Sequence, residues 1–476
     1  MANYEISELV EWDKRIREKA AAFGLDWYPQ EFEICDHTGM LGYMAYSGMP
    51  SHYPHWSYGK SYEKLKTLYD YGVSGLPYEM VINSNPAIAY LMRDNSLLLQ
   101  ILTMAHVYGH NDFFKNNFTY KSTRAELTIE TFKSHALRVR RYVEDPSIGI
   151  ENVERILDAA HALSLQCRRN LALKKLTPKE QIERAIEAAQ PPPDPFHRLH
   201  ARPEFTEPET RRVPLEPDED LLLFIRDNNR FLESWERDLL TIVDEETKYF
   251  IPMMETKIMN EGWASYWHKK IVESLQLDQS LHLEFIVRHN QVLRPIPGQI
   301  NPYHLGFKIW EDIYRRYTEP TPEEIKKYGA PTMNGTAKIF EAREVERDTS
   351  FLRRYLTEEL MREMDMFEYE SRGDELVIDK VSDTDGWKQI KETLIKSVGT
   401  GSIPVIKVED ADYGHNRTLY LKHNHDGRDL QIEYAEKTLA FVFRLWGHEC
   451  LLETTLQGKR SLLCYNDRGF ALRALK

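Results

Sequence analysis

The sequence predicts a mainly α-helical protein with a smaller α+β domain at its C-terminal end. Apolar residues recur at helical spacing through most of residues 1–370, whereas residues 371–476 contain short apolar stretches separated by turns. We therefore predict two domains, a helical one at 1–370 and a small α+β one at 371–476 with an antiparallel sheet. A length of 476 residues and a hydrophobic content of 42% allow both domains a buried core.

Helical periodicity predicts most elements of the first domain in chain order. An amphipathic helix is predicted at 6–23, followed by a packed loop at 35–60 that is rich in Gly, Pro, His and Tyr. Further helices are predicted at 86–111, 127–144, 150–169, within 221–317 (including a long helix at 252–274), and through most of 320–370. Pro86 suits the first turn of its helix because a missing N–H costs nothing there.

Two changes of composition interrupt this helical pattern. Prolines are dense between residues 190 and 220, which neither a helix nor a central strand tolerates, so we predict an extended excursion over the surface there. From about residue 372, stretches such as ELVIDKV, RTLYLKH and RSLLCYN predict strands, with helices between them at 387–397 and 434–446. The second change marks the predicted start of the C-terminal domain.

Charge and composition exclude several functional classes. The chain carries 75 Asp and Glu against 62 Lys and Arg residues, and this net charge of −13 argues against a nucleic-acid partner, which would select a basic face. No apolar stretch approaches the roughly 18 residues of a membrane-spanning helix, and the charged N-terminal segment lacks the apolar region of a signal peptide. The four cysteines form no CxxC pair, which predicts reduced, buried thiols. We therefore expect a cytoplasmic protein.

His106 and His110 are the first candidate metal ligands. They lie four residues apart in MAHVYGHNDFF on a predicted helix, which places both imidazoles on one helical face, where one divalent ion could contact both. In a chain with 17 histidines such a pair also arises by chance, so a purely structural pair is the alternative.

Two later segments add residues of matching chemistry. Glu261, in NEGWASYWH, is the candidate third ligand on another predicted helix; the alternative is a buried ion pair in a core helix. Tyr303, in RPIPGQINPYHLGF, is the candidate catalytic residue where a proline-fixed loop enters a helix; the alternative is an ordinary loop-to-helix junction. Two imidazoles and one carboxylate suit zinc, which is the predicted metal.

The order of these segments resembles that of zincin-type metallohydrolases. There, two histidines on one helix and a glutamate on the next hold Zn²⁺, and a tyrosine stabilises the oxyanion. Segments similar to EGWA and PGQ occur in some bacterial zincin-like hydrolases, which implies a zincin-like helical part here. The chain departs from that pattern at Val107, where zincins have the glutamate that acts as general base. Asp112, Glu79 and His268 are the candidate replacements; the alternatives are a metal site without peptide hydrolysis and a relic of the motif.

Longer strings carry a resemblance to one family. GMPSHYPHWSYGKSYE, YEMVINSNPAIAYLM, HVYGHNDFFKNN, RRYVED, LDAAHAL and MNEGWASYWH occur in this order. Together they resemble the stage V sporulation protein R (SpoVR-like) family over residues 5–330, and the C-terminal domain fits as well. The resemblance implies a cytoplasmic protein that acts in spore cortex formation, and it brings no established catalytic activity.

Two functions follow from these patterns. The first is a metal-dependent hydrolase or related enzyme that acts on a small molecule or an envelope precursor, and the joint presence of the predicted ligands and Tyr303 favours it. The second is a non-catalytic scaffold or regulator with a protein partner, which Val107 favours.

Overall fold

The chain folds into two compact units. The computed structural model describes residues 4–72, 77–169, 174–190, 212–296, 299–366, 368–372, 375–380 and 384–475. The first unit comprises Met1–Arg140 and Lys248–Ser402, and the second comprises Arg141–Thr247 and Ile403–Lys476. The predicted class, mainly helical with a smaller sheet-containing C-terminal part, is confirmed. The unit boundaries differ from the predicted 1–370 and 371–476, because a unit assembled from two separate chain segments leaves no mark in local composition.

The first unit begins with a helix and a small sheet. Its elements are α1 (Ile6–Ala22), β1 (Gln30–Cys35), α2 (His37–Ala45), α3 (Trp56–Asp70), β2 (Glu79–Ile82), β3 (Ala87–Met92) and α4 (Leu97–Asn116). The strands lie in the order β1-β3-β2, with β1 parallel and β2 antiparallel to β3. The predicted helix at 6–23 is confirmed.

Two predictions for this segment are wrong. The start of the predicted helix at 86–111 forms strand β3, because a short buried apolar run such as AIAYLM fits both structures. The helix begins instead after Ser96, whose side chain accepts a hydrogen bond from the Leu99 N–H. The predicted loop at 35–60 contains all of α2, which begins after Asp36, and the start of α3.

Helices dominate the middle of the chain. Its elements are α5 (Thr128–Glu144), α6 (Gly149–Leu163), α7 (Pro178–Ala189), α8 (Leu221–Asn228), α9 (Ser234–Glu255), α10 (Lys257–Ser274), α11 (Gln279–Val292), α12 (Pro302–Thr318), α13 (Pro322–Tyr328), α14 (Gly335–Val345), α15 (Asp348–Tyr355), α16 (Glu358–Glu363), the hairpin of β4 (Glu368–Arg372) and β5 (Glu375–Lys380), and α17 (Thr384–Ser397). The predicted helix at 127–144 is confirmed. The one predicted at 252–274 is wrong as a single element, because Thr256 leaves the helical conformation between α9 and α10.

Helix α10 packs directly against both α4 and α12. A Cβ atom added to Gly262 would lie 2.3 Å from the backbone carbon of Gly306, and one added to Gly109 would lie 2.7 Å from Cα of Ala264. These contacts leave room only for glycine, so the three helix backbones approach closely. The close approach brings the candidate site residues of α4, α10 and α12 near one another.

The second unit contains the C-terminal sheet. Its strands and helix are β6 (Ile406–Tyr413), β7 (Thr418–His423), α18 (Ile432–Trp446), β8 (Cys450–Leu456), β9 (Lys459–Asn466) and β10 (Gly469–Ala474), with the strand order β10-β9-β8-β7-β6. The predicted strands form, but ELVIDKV lies in β5 of the first unit, and the sheet of the second unit is mixed, not purely antiparallel. Strands β7 and β8 are parallel because α18 crosses over between them.

Helices α6 and α8 from the earlier chain segment pack within this second unit. Helix α6 packs against α18 and α8 against β6, and Asn229 donates a hydrogen bond to the Leu445 carbonyl at 2.7 Å. Most of the predicted proline-rich excursion, residues 191–211, lies outside the described residues. All four cysteines lie in the described residues, are buried and form no disulfide, as predicted. In the described ranges, no helix is both long and apolar enough to cross a membrane.

Candidate metal centre

Helix α4 holds the two candidate histidines in the interior of the first unit. Its residues from 98 to 114 are all buried. His106 and His110 are 4% and 7% exposed, and their ring centroids lie 4.5 Å apart. The four-residue spacing therefore places both imidazoles on one helical face, as the sequence predicts.

Glu261 on α10 faces these two rings. Its Oε2 atom lies 3.8 Å from His106 Nε2 and 3.5 Å from His110 Nε2. One ligand atom from each of the three residues lies within 4.8 Å of the other two. Nitrogen and oxygen ligands of a tetrahedral zinc ion lie about 3.4 Å from one another, since each is about 2.0–2.2 Å from the metal. The three residues are thus at separations that one ion can bridge.

Two of these ligand atoms make no hydrogen bond to any residue that the structure describes. His106 Nε2 and Glu261 Oε2 are both buried and unpaired, and their distance of 3.8 Å is too long for a hydrogen bond between them. A buried polar atom without a partner costs about 1–3 kcal/mol. A cation between the two atoms would satisfy both, so the geometry and chemistry of this donor set fit a metal ion.

The charge states of these side chains also suit a metal site. Burial, together with the neighbouring His106, lowers the pKa of His110 to about 4, so its imidazole is neutral at pH 7. Burial alone would raise the pKa of Glu261, but His106 and His110 outweigh it and the pKa lies below its ordinary value. A neutral imidazole and an ionised carboxylate are the forms that bind metal ions.

Two neighbouring side chains orient the imidazoles. His110 Nδ1 lies 2.9 Å from Asn260 Oδ1, and His106 Nδ1 lies 2.9 Å from His268 Nδ1. An amide oxygen only accepts hydrogen bonds, so His110 donates from Nδ1 and its Nε2 lone pair faces Glu261. Asn260 and Glu261 are adjacent in α10. One turn of that helix therefore supplies both a candidate metal ligand, Glu261, and the hydrogen-bond partner of a second ligand, His110.

Tyr303 lies beside this cluster at the start of α12. The Asn301 side chain accepts hydrogen bonds from the Tyr303 and His304 N–H groups and fixes the first turn. The Tyr303 ring stacks on His106 with a centroid distance of 6.1 Å. The Glu261 charge, followed by burial, raises the pKa of Tyr303, so the phenol stays protonated and can donate a hydrogen bond. The structure thus brings all four predicted site residues together.

Glu79 is a further acid at this site. Strand β2, which the sequence pattern missed, places its Oε1 atom 3.9 Å from His106 Nε2, with the side chain 18% exposed. Burial raises its pKa, and the charge of Glu261 adds to the increase against the opposing effect of His106. Glu79 was one of three candidate general bases, but its spacing along the chain carried no signal, because its place depends on the pairing of β2 with β3.

The other two candidate bases have different surroundings. The Asp112 carboxylate accepts hydrogen bonds from Arg343 at 2.7 and 2.9 Å and from Trp263 Nε1 at 2.8 Å, so it anchors α4 within the core. His268 lies behind His106, on the Nδ1 side of its ring. Val107 itself is fully buried.

Comparisons with known proteins cover almost the entire chain. A family model described as SpoVR like protein matches residues 3–403, and a second, described as SpoVR-like C-terminal domain, matches residues 404–457. The boundary between them coincides within one residue with the change of unit after Ser402. The chain is 34% identical over 460 residues to the uncharacterized protein YcgB of Escherichia coli strain K12, covering 91% of this chain and 89% of that protein. No solved structure matches, and the resemblance to zincins stays a prediction.

Proposed function

The chain belongs to the SpoVR-like family, and we propose that it holds a zinc ion with His106, His110 and Glu261 as the centre of a hydrolase-type site. The observation that supports this most is the convergence of three ligand atoms within 4.8 Å. Two of those atoms are buried without a hydrogen-bond partner among the described residues. A satisfied structural pair of histidines would leave no such unpaired atoms.

The donor set favours zinc over other divalent ions. Two imidazoles and one carboxylate suit zinc, whereas magnesium and calcium select sites built from oxygen ligands. Three protein ligands leave one coordination position open, which is typical of catalytic zinc sites. When bound there, zinc would polarise a substrate oxygen or activate water.

Two residues supply the remaining chemistry in this proposal. The Glu79 carboxylate accepts a proton in place of the glutamate that zincins have at the position of Val107. The Tyr303 hydroxyl donates a hydrogen bond to negative charge that develops on the substrate. The substrate class is a hydrolysable small molecule or envelope precursor, and the cellular role is cortex or envelope formation in the cytoplasm, as the family resemblance implies.

A non-catalytic scaffold or regulator is the second candidate. The observation that favours it is the fully buried Val107, which leaves no proton acceptor where zincins have theirs. In that function the metal would only stabilise the fold, and the partner would be another protein of the same process.

Metal content tests the proposal directly. Untagged protein purified without chelator should contain about one zinc per chain, measured by inductively coupled plasma mass spectrometry. A His110→Ala, Glu261→Ala double variant should contain almost none. His415→Ala is the matched control, since its side chain is 97% exposed, and it should keep the metal. Wild-type protein that takes up no zinc after dialysis against micromolar zinc would refute the metal site.

A further inference from the structure

Three buried histidines form one hydrogen-bonded chain that begins at the candidate metal centre. His106 Nδ1 lies 2.9 Å from His268 Nδ1, and His268 Nε2 lies 2.8 Å from His289 Nδ1. His268 is fully buried and His289 is 7% exposed. His289 also lines an open cavity of about 580 Å³ between α10, α11 and α12, where the chain of rings ends.

Each hydrogen bond between two of these imidazole rings has one donor and one acceptor. Two N–H groups cannot face each other at 2.8–2.9 Å, so each of the two contacts pairs one N–H with one lone pair. A neutral imidazole carries one N–H and one lone pair. Two consistent arrangements follow, because the direction of the first hydrogen bond determines that of the second.

In one arrangement His106 carries its proton on Nε2. That N–H then points toward Glu261 Oε2 at 3.8 Å and Glu79 Oε1 at 3.9 Å, and hydrogen bonds run from His289 through His268 to His106. In the other arrangement His106 carries its proton on Nδ1 and donates to His268, which donates to His289. Only the second arrangement leaves the lone pair of His106 Nε2 available to a metal ion.

We infer that His268 and His289 are positioning residues: His268 accepts the Nδ1–H of His106 in the tautomer that binds metal, and His289 accepts in turn from His268. This inference rests on the proposed zinc site. Metal binding selects the arrangement that runs outward from His106, so the three rings change tautomer together.

Variants of His268 test this role. His268→Leu removes the acceptor for His106 Nδ1–H, and zinc affinity should fall about 10- to 100-fold, the usual effect of losing a partner of a ligating histidine. His268→Asn retains an oxygen near the position of Nδ1 and should restore most of the affinity. Zinc affinity is measured by competition with a chromophoric chelator, and the visible spectrum of the cobalt(II) form reports the ligand geometry. His135→Leu, which removes another buried histidine of the first unit, controls for loss of a buried ring.

The possible outcomes distinguish a failure of this inference from a failure of the proposed zinc site. Wild-type protein without any zinc affinity would refute the metal site and, with it, this role. Normal wild-type binding with unchanged affinity and cobalt spectrum in His268→Leu would refute the positioning role alone. If His268→Leu does not fold, the pair His289→Leu and His289→Asn decides in the same way. The difference in zinc affinity between these two variants should be smaller than for the His268 pair, because His289 acts on His106 only through His268.

Discussion

Glu79 Oε1 and His106 Nε2 lie 3.9 Å apart, although one residue stands on a short strand and the other on a buried helix. Glu79 does not belong to the group of three residues whose ligand atoms all lie within 4.8 Å of one another. It therefore faces the same imidazole as Glu261 without sharing its place among the candidate ligands. Glu261 is thus a candidate metal ligand and Glu79 is not, and zinc affinity can distinguish these two roles.

We expect Glu79→Gln to retain zinc and Glu261→Gln to lose it. Glutamine keeps the size of each side chain but removes the charge, and only Glu261 contributes a ligand to the proposed ion. Zinc affinity should change by less than about threefold in Glu79→Gln and fall at least about 10-fold in Glu261→Gln, by chelator competition. Equal losses in the two variants would instead make Glu79 a ligand and exclude it as the proton acceptor.

The parts of this site that the sequence predicts are those with a local pattern. His106 and His110 are predicted from their helical spacing. Glu261 and Tyr303 are predicted from the short motifs NEGWASYWH and RPIPGQINPYHLGF, which can be recognised without knowing the fold. Glu79 was one of three candidate bases, and the sequence could not single it out, because its position depends on the pairing of β2 with β3. The contact of His289 with His268 was missed for a similar reason, since it depends on how α11 packs beside α10.

The fold shows the same division between local and long-range information. The C-terminal strands were predicted because alternation is a local property, whereas the parallel pairing of β7 with β8 depends on where α18 returns the chain. The sequence predicts a helix where strand β3 forms, because an apolar run of six residues, five of them buried, has no distinguishing period. The discontinuous second unit left no signal, since two of its three junctions fall inside helices α5 and α9.

Removing the metal should destabilise the protein. A ligand that binds only the folded state at 100 times its dissociation constant adds about 2.7 kcal/mol, which corresponds to roughly 5 °C in melting temperature for a unit of this size. We expect a chelator to lower the melting temperature of wild-type protein and added zinc to restore it, measured by differential scanning fluorimetry. The His110→Ala, Glu261→Ala variant should not respond. An equal response in that variant would place the stabilising metal elsewhere.

Gly262→Ala should disturb the site through the packing of α10 on α12. The new Cβ would lie 2.3 Å from the backbone carbon of Gly306, so the helices must separate, at a cost of about 1–3 kcal/mol. Because Gly262 follows Glu261, the displacement should also weaken zinc binding. Gly59→Ala in α3 is the control, since its Cβ would meet nothing within 4 Å and should leave melting temperature and zinc content unchanged or slightly raise stability. Full zinc content and an unchanged melting temperature in Gly262→Ala would contradict the close-packing argument.

Asp348 should make stability depend on pH in a defined direction. Burial raises its pKa to about 7, against the opposing effect of the Ile258 and Met259 N–H groups, which donate to its carboxylate at 2.9 Å. The folded state therefore binds a proton more tightly than the unfolded state. The resulting stability is fully present below pH ~4 and is lost as the pH rises through ~7. As the pH rises from 5 to 8, the melting temperature of wild type should therefore decrease relative to that of Asp348→Asn. Parallel pH profiles would show that Asp348 does not titrate in this range.

Generic peptides should be poor substrates even for the zinc-loaded protein. The two histidines are 4% and 7% exposed, so an extended polypeptide backbone cannot reach the ion without movement of the surrounding elements. Val107 accepts no proton, and Glu79 comes from the side of strand β2 and not from the helix that carries the histidines. We expect casein and unstructured peptides to be cleaved no faster than by the His110→Ala, Glu261→Ala variant, in a fluorescence assay with added zinc. Rapid cleavage of casein by wild type but not by the double variant would show that the site opens to large substrates and that the burial argument fails.

Cleavage of a small amide or ester should require both Glu79 and Tyr303. Glu79→Gln and Tyr303→Phe should therefore each lower the rate of that cleavage about 100-fold or more at normal zinc content.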